Sequence, residues 1–332
     1  MTRLSVAVPF CDDFEEALAL LDQARRQLPD AESAQSILIE CILSNERRNI
    51  RRSSVPAHVT VLPSDSVGGL PRAKNLALRE STGDLVLFLF PGVVPGPGAV
   101  ERLLLQMNEH PDWGGVAGRW NNEQGQAEKG YNVRRFPTFT ALLWDLLLIN
   151  KLVPSNRVTR NYKMHDFDHG SLCEAEHVND CAFMARRGLL SDLGGFDESY
   201  SFGWFDQLEM CRKMRQRGCP VYYDPASVFL STGRQPLVNR MLAERYVDFY
   251  RDESRFVRRE FGFRRWHIFR VTLAAGMVMR LAFAGMLPGK TRSRALQRYR
   301  SYVSDGYIQG MRASYVALLK SLFAPASREI GN

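Results

Sequence analysis

Two carboxylates three residues apart, Asp206 and Glu209, open the stretch DQLEMCRKMRQRG, whose pattern predicts a helix with Gly218 as its C-cap. Positions three apart share a helix face, so both acids can serve one site, as proton acceptors or cation ligands. The plainer reading is an acid pair favoured by the positive end of the helix dipole. A second cluster, Asp166-Phe167-Asp168-His169, sets a D-x-D beside an imidazole. Oxygen and nitrogen ligands of this kind suit Mn or Mg, and the same residues also serve to cap a loop turn. Asp180 can face a ligand or solvent. Trp204 offers a ring for stacking or for the core. Arg72 and Lys74 lie on one predicted helix and could meet a phosphate, although solvated helix charges are the commoner fate of such residues. The six cysteines contain no C-x-x-C pair, so neither a zinc ribbon nor a thioredoxin-type site is expected. Cys11 and Cys211 read as small buried residues.

These residues need elements to position them. Through the first half, strand and helix signals alternate. Apolar runs at 4–10, 36–45, 58–63 and 82–90 and the segment GGVAGRW read as strands, and 14–28, 70–81 and 98–110 carry helical spacing. Alternation of this kind implies an α/β domain: a mostly parallel, Rossmann-like sheet with helices on both faces. Ligands of such sheets bind at the carboxyl ends of the strands, here 9–12, 43–45, 63–66 and 90–95. In the second half, 132–154 reads as an apolar helix bounded by proline. HVNDCAFMARRGLL reads as a strand feeding a helix, GGFDESYSFGW as a Gly/aromatic loop and PVYYDP as a short strand.

Charge is distributed unevenly. The chain carries +8 overall, yet residues 240–332 hold 18 Lys/Arg against 7 Asp/Glu, and the rest is slightly acidic. Within that basic segment, 266–287 is apolar apart from His267, Arg270, Thr272 and Arg280. Two arginines argue against a spanning helix and suit one lying among lipid headgroups, or one packed on its own domain. No helix-turn-helix, zinc-finger or RNA-binding signature accompanies the charge, so nucleic acid is not an expected partner. The N-terminus turns acidic after a short apolar run, unlike a secretory signal. This points to a cytoplasmic location with reduced cysteines.

The order of SVAVPF, GGLPRAKNLALRESTGDLVLFLF, PGPGAVERLL and ARRGLLSDLGGFDE, then FGW and a helix, resembles the family 2 nucleotide-sugar glycosyltransferases of the GT-A fold. NYKMHDFDHGSLCEAEHVNDCAFMARR and the apolar-basic C-terminus are similar to bacterial rhamnosyltransferases that build cell-surface polysaccharides. The resemblance covers about residues 3–290. It implies a GT-A domain at 1–235 and a helical, basic, membrane-seeking segment at 236–332. The implied partners are a nucleoside-diphosphate sugar, a lipid-linked or polysaccharide acceptor and an anionic membrane surface. The implied place is the inner face of the plasma membrane.

The resemblance also implies site residues, and here the chain departs from the family. Nucleotide-sugar binding falls to Pro9, Phe10, Asp12, Ser44, Asn45, Arg72, Asn75, Phe90, Pro91 and Gly92. The acidic D-x-D-like turn expected after the fourth strand is replaced by Phe90-Pro91-Gly92-Val93, which offers no metal ligand. Leu230 replaces a frequent histidine ligand, and Ser44-Asn45 replaces the Asp-Asn or similar pair whose acid meets the nucleobase and ribose. At the catalytic helix start, alignment on Gly218 sets Asp206 at the first acid, Gln207 at the base and Glu209 at the third. A shift of one makes Asp206 the base. Asp166, Asp168, His169, Asp180 and Trp204 fall on the acceptor side. The usual ligands for Mg or Mn are thus missing, while structural signatures such as Asn75 and GGFDE remain. Two expectations follow: an inverting, metal-independent transferase, with Arg72 and Lys74 as candidate cations for the diphosphate, or a catalytically inactive relative serving as scaffold, regulator or glycan-binding partner.

Overall fold

Two short segments, LSVAV with four apolar residues around Ser5 and the wholly apolar LVLFL, read as strands buried on both faces of a sheet, and all ten residues are buried. In the computed structural model they form β1 (Leu4–Val8) and β4 (Leu85–Leu89), paired in parallel. The described residues are 2–9, 14–28, 34–41, 55–64, 69–153, 155–201, 203–232 and 246–286. The remaining elements are α1 (Phe14–Arg25), β2 (Gln35–Cys41), β3 (Val59–Ser64), α2 (Gly69–Glu80), β5 (Val93–Pro95), α3 (Ala99–Glu109), β6 (Gly115–Asn121), β7 (Val133–Arg134), α4 (Phe139–Leu146), α5 (Ile149–Leu152), α6 (Arg157–Tyr162), β8 (Cys173–Ala175), β9 (His177–Val178), β10 (Ala182–Arg186), α7 (Arg187–Asp192), α8 (Phe205–Gln216), β11 (Val221–Ser231) and α9 (Tyr246–Met286).

Backbone contacts divide the chain into two compact units. One holds residues 1–136 and 160–238, the other 137–159 and 239–332. In the first, the sheet order is β3-β2-β1-β4-β10-β6-β11-β5, with β8 also pairing β11. β10 runs antiparallel between β4 and β6, and β6 and β11 are parallel to each other. Alternating side chains of β4 serve two cores. Leu85, Leu87 and Leu89 pack with Leu20, Leu21, Val100 and Leu103 of α1 and α3. Val86 and Phe88 pack with Ala73, Ala77, Leu190, Met210 and Met214 of α2, α7 and α8. This is a two-faced α/β sheet, and it carries the carboxyl ends of β1 and β4 to one rim. β7 and β9 form a separate two-stranded ribbon, with Arg134 opposite His177.

Two expectations are corrected. The single helix over 132–154 does not form. Residues 133–134 are strand, Pro137 precedes α4, and Leu148 at φ 59 separates α4 from α5. A left-handed leucine cannot lie inside an α-helix, so the apolar run is divided. PVYYDP is not a short strand but the start of the 11-residue β11, which continues through an irregularity between Asp224 and Val228. Elsewhere the expected elements are present within a few residues, including the cap, where Gly218 takes φ 78 after α8.

In the second unit, α4 begins at the Thr138 cap, whose side chain accepts from the Ala141 N–H. Phe139 meets the Phe261 ring at 5.6 Å. α9 is interrupted at Gly262 (φ 81, ψ 174), a conformation that other residues rarely adopt, giving two helical arms. Phe269, Leu273 and Met277 are buried on one face of the second arm, and Phe263, Ile268, Val271 and Val278 are exposed. No helix among the described residues is long and apolar enough to cross a membrane.

Candidate active site

α2 places Leu70, Ala73, Lys74, Ala77 and Leu78 on its buried face, an i, i+3, i+4, i+7, i+8 stripe that contains one charge. Lys74 is fully buried. Its Nζ donates to Asp206 Oδ2 at 3.1 Å and to Asp180 Oδ2 at 3.2 Å. Asp206 lies in the first turn of α8, and Asp180 lies two residues before β10. The ammonium stands 4.7 Å from the Phe196 ring centre and 5.8 Å from that of Phe90, the residue that follows β4. Phe90 in turn donates its N–H to the Cys181 carbonyl at 3.1 Å, which fixes the end of β4 beside Asp180. Three distant segments thus converge on one desolvated cation.

Burial works against the Lys74 charge, but the two carboxylates outweigh it and hold the ammonium above the ordinary lysine range. One ammonium cannot neutralise two carboxylates. Burial pushes the Asp206 carboxyl up to about 6, against the pull of Lys74. Asp206 Oδ2 faces the ammonium, whereas its buried Oδ1 has no hydrogen-bond partner. The arrangement therefore holds, below the surface, a carboxyl whose pKa is raised to about 6, the property of a proton acceptor.

The other expected residues have varied fates. Lys74 is no solvated helix charge, while Arg72 is exposed on the same helix. Asn75 is committed to structure. It donates to the Phe196 carbonyl (2.8 Å) and Glu198 (2.9 Å) and accepts from the Phe196 N–H (2.8 Å). Gly195 is needed there, because a Cβ would fall 2.5 Å from Asn75 Oδ1. Gln207 is buried with its carbonyl oxygen unpartnered, and its amide reaches Cys211 Sγ at 3.9 Å. Cys211 is buried, with its thiol pushed up to about 12 chiefly by that burial. Glu209 accepts a hydrogen bond from the hydroxyl of buried Tyr200. Pro9, Phe90, Pro91 and Gly92 lie at the ends of β1 and β4, and the Gly92 N–H donates to Glu16 at 3.1 Å. Phe10, Cys11, Asp12, Ser44 and Asn45 lie outside the described residues.

The D-x-D does not converge on a cation. Asp166 is gripped by Arg160, and Asp168 accepts from the Gly170 N–H at 2.9 Å and the Ser171 hydroxyl at 2.8 Å. Both carboxyls are held below the ordinary range by these donors. His169 is buried against Phe167 and Tyr223, and burial lowers its pKa. Among the described residues no three His, Cys, Asp or Glu side chains are grouped to hold a metal ion. Nor do the residues of the Lys74 cluster fit one. Its two aspartates already enclose an ammonium, and the Phe90-Pro91-Gly92 turn beside it brings no ligand.

Sequence reasoning passed over two residues. Arg134, in β7, is buried with its guanidinium over the Trp204 ring at 4.3 Å, so Trp204 is covered on that side. His177, its cross-strand partner, meets the Trp204 ring at 4.8 Å. Burial, with Arg134 and Lys74 nearby, lowers the His177 pKa to about 3, so its ring is neutral. The lysine's burial was readable from the α2 stripe. Nothing in the local pattern around Arg134 marks its burial.

No protein-family model matches the chain, and no curated protein does. Solved structures do. A structure of GalNAc-T7 with UDP, GalNAc and Mn2+ superposes with a TM-score of 0.52 at 13% identity, covering 70% of this chain and 44% of that one. This chain therefore spans under half the length of that protein. The mannosyltransferase PcManGT from Pyrobaculum calidifontis, in complex with GDP-Man and Mn2+, superposes at 0.51 and 16% identity, covering 97% and 87%. At such identities the likeness is one of fold. The central mixed sheet flanked by helices on both faces is that of the GT-A glycosyltransferases.

Proposed function

We propose that the chain is an inverting glycosyltransferase that takes a sugar from a nucleoside diphosphate and needs no resident divalent cation. The observation that carries this reading is the Lys74–Asp180–Asp206 cluster at the rim where β4 ends. In the transfer, the acceptor hydroxyl oxygen bonds to the anomeric carbon from the face opposite the diphosphate. The carbon–oxygen bond to the diphosphate breaks, and its electron pair leaves with that group. The hydroxyl proton passes to Asp206 Oδ1, the carboxylate oxygen not engaged by Lys74. Lys74 holds the carboxylate in place, and the exposed Arg72 is the cation of α2 open to a departing diphosphate. Asp180 shares the ammonium and so keeps Asp206 from being fully neutralised. The chain's resemblance to rhamnosyltransferases supports a lipid-linked or polysaccharide acceptor on the cytoplasmic membrane face. The exposed Phe263, Ile268, Val271 and Val278, with Arg264 and Arg265, support docking on anionic lipid.

A second reading is favoured by one observation. In the register aligned on Gly218, Gln207 stands where the resembling family sets its base, and Glu209 is already engaged by Tyr200. A relative that has lost catalysis would bind a glycan or a partner with the same fold. Thermal shift of the full chain with UDP-, GDP- and dTDP-sugars, each with Mn, Mg or EDTA, separates the two. A shift that survives EDTA, with turnover abolished by Asp206→Asn, is the expected result. No shift with any donor would favour the second reading.

A further inference from the structure

Among the described residues, Arg134 is a buried cation without a counter-ion. Its exposure is 8%, and among the described residues its guanidinium makes one hydrogen bond, from Nε to the Gly130 carbonyl. Among the described residues it forms no ion pair. Its other contacts are ring faces: Trp204 at 4.3 Å, Tyr131 at 5.0 Å and Tyr162 at 5.5 Å. Aromatic faces soften the loss of water but do not accept the four N–H bonds of the terminal nitrogens. The surroundings add positive charge. His165 and His169 are shifted down first by burial, then by Lys163 and Arg134 in one case and Lys129 and Arg119 in the other. Asp166, the acid beside His165, is held by Arg160. Burying a guanidinium among other cations is unfavourable unless something anionic meets it.

We propose that Arg134 is the anchor of an oxyanion-binding subsite, and that the acceptor of the transfer carries the phosphate or carboxylate it grips. This rests on the transferase reading and adds to it the chemical class of the acceptor. The guanidinium fork matches either anion with two parallel N–H bonds, and the rings of Trp204, Tyr131 and Tyr162 hold the fork in one plane. The position suits the acceptor rather than the donor. Arg134 lies on the β7–β9 ribbon, and both it and its cross-strand partner His177 meet the ring of Trp204, at 4.3 and 4.8 Å; Trp204 precedes α8 and stands two positions before Asp206. The subsite and the proton-accepting Asp206 are therefore joined through the start of α8.

The test is calorimetric titration of the full chain with inorganic pyrophosphate, sodium glucuronate and, as a neutral control, glucose. Pyrophosphate stands for a phosphate-linked acceptor and glucuronate for an acidic glycan. One of the two anions should bind, more weakly as salt is raised, and glucose should not. Arg134→Gln should weaken that binding at least tenfold while leaving the thermal shift by the nucleotide sugar unchanged. Equal binding by the variant, no anion binding by the wild type, or loss of the nucleotide-sugar shift in the variant would each overturn the proposal. Should Arg134→Gln fail to fold, Arg134→Lys decides. It keeps the charge over the rings but loses the fork, so anion affinity should fall at least threefold, and unchanged affinity would refute the subsite. Absence of any nucleotide-sugar shift would strike the transferase reading alone, since the anion titration is read separately.

Discussion

An ammonium enclosed by two carboxylates sets the balance of charge at the heart of the site. Removing it by Lys74→Met leaves Asp180 and Asp206 facing each other without compensation, so urea unfolding should report a loss of about 3–5 kcal/mol. A conservative surface substitution such as Arg72→Gln should leave that midpoint unchanged. The Asp206 carboxyl titrates near 3.8 when free and about 6 when folded, so the folded state holds its proton more tightly. The stabilisation linked to that proton is complete below the free value and is lost as pH rises through about 6. Asp206→Asn should remove this slope from stability measured between those limits. Turnover should show the opposite trend, rising as pH passes about 6 because the base must be unprotonated. An acid limb that persists in a still-active Asp206→Asn protein would assign the base elsewhere. Asp206 was visible in the sequence as half of an acid pair. Its partner in chemistry was not Glu209, three residues on, but Lys74, 132 residues away. Contacts of that span belong to the sheet, and no local pattern encodes them.

At the scale of elements, α2 does two tasks with adjacent residues. Lys74 points to the carboxylates, and Asn75 ties the loop after α7 to the helix through three hydrogen bonds. Asn75→Ala orphans the Phe196 N–H and should cost about 1–3 kcal/mol, read as a lowered unfolding midpoint. Gly195→Ala should be at least as harmful, since it adds a clash with Asn75 to a φ of 72. The strands and helices of the first half were legible because alternating apolar runs and 3.6-residue stripes leave few other solutions. The antiparallel insertion of β10 was not, because strand direction depends on where the chain returns from. The 132–154 run misled for a simpler reason. Hydropathy records what is apolar, and the break at Leu148 is a matter of backbone angle.

For the whole molecule, the basic excess beyond residue 240 and the exposed apolar side chains of α9 make a common prediction. The protein should sediment with phosphatidylserine vesicles, bind less to neutral ones and be released as salt shortens the electrostatic reach. Val271→Asp with Val278→Asp should weaken sedimentation without lowering the melting temperature, because both side chains already face solvent. Vesicle binding that survives both changes would place the contact elsewhere. The sheet order also bears on how the chain is made. The layer β3-β2-β1-β4 is complete in sequence by Leu89, yet its inner edge, β4, pairs with β10, which ends at Arg186. At roughly 5–20 residues per second, a ribosome needs on the order of 5–20 s to supply that partner. Throughout that interval a bare, wholly apolar strand edge stands open on the nascent chain, the kind of surface that chaperones hold and that neighbouring nascent copies can seize.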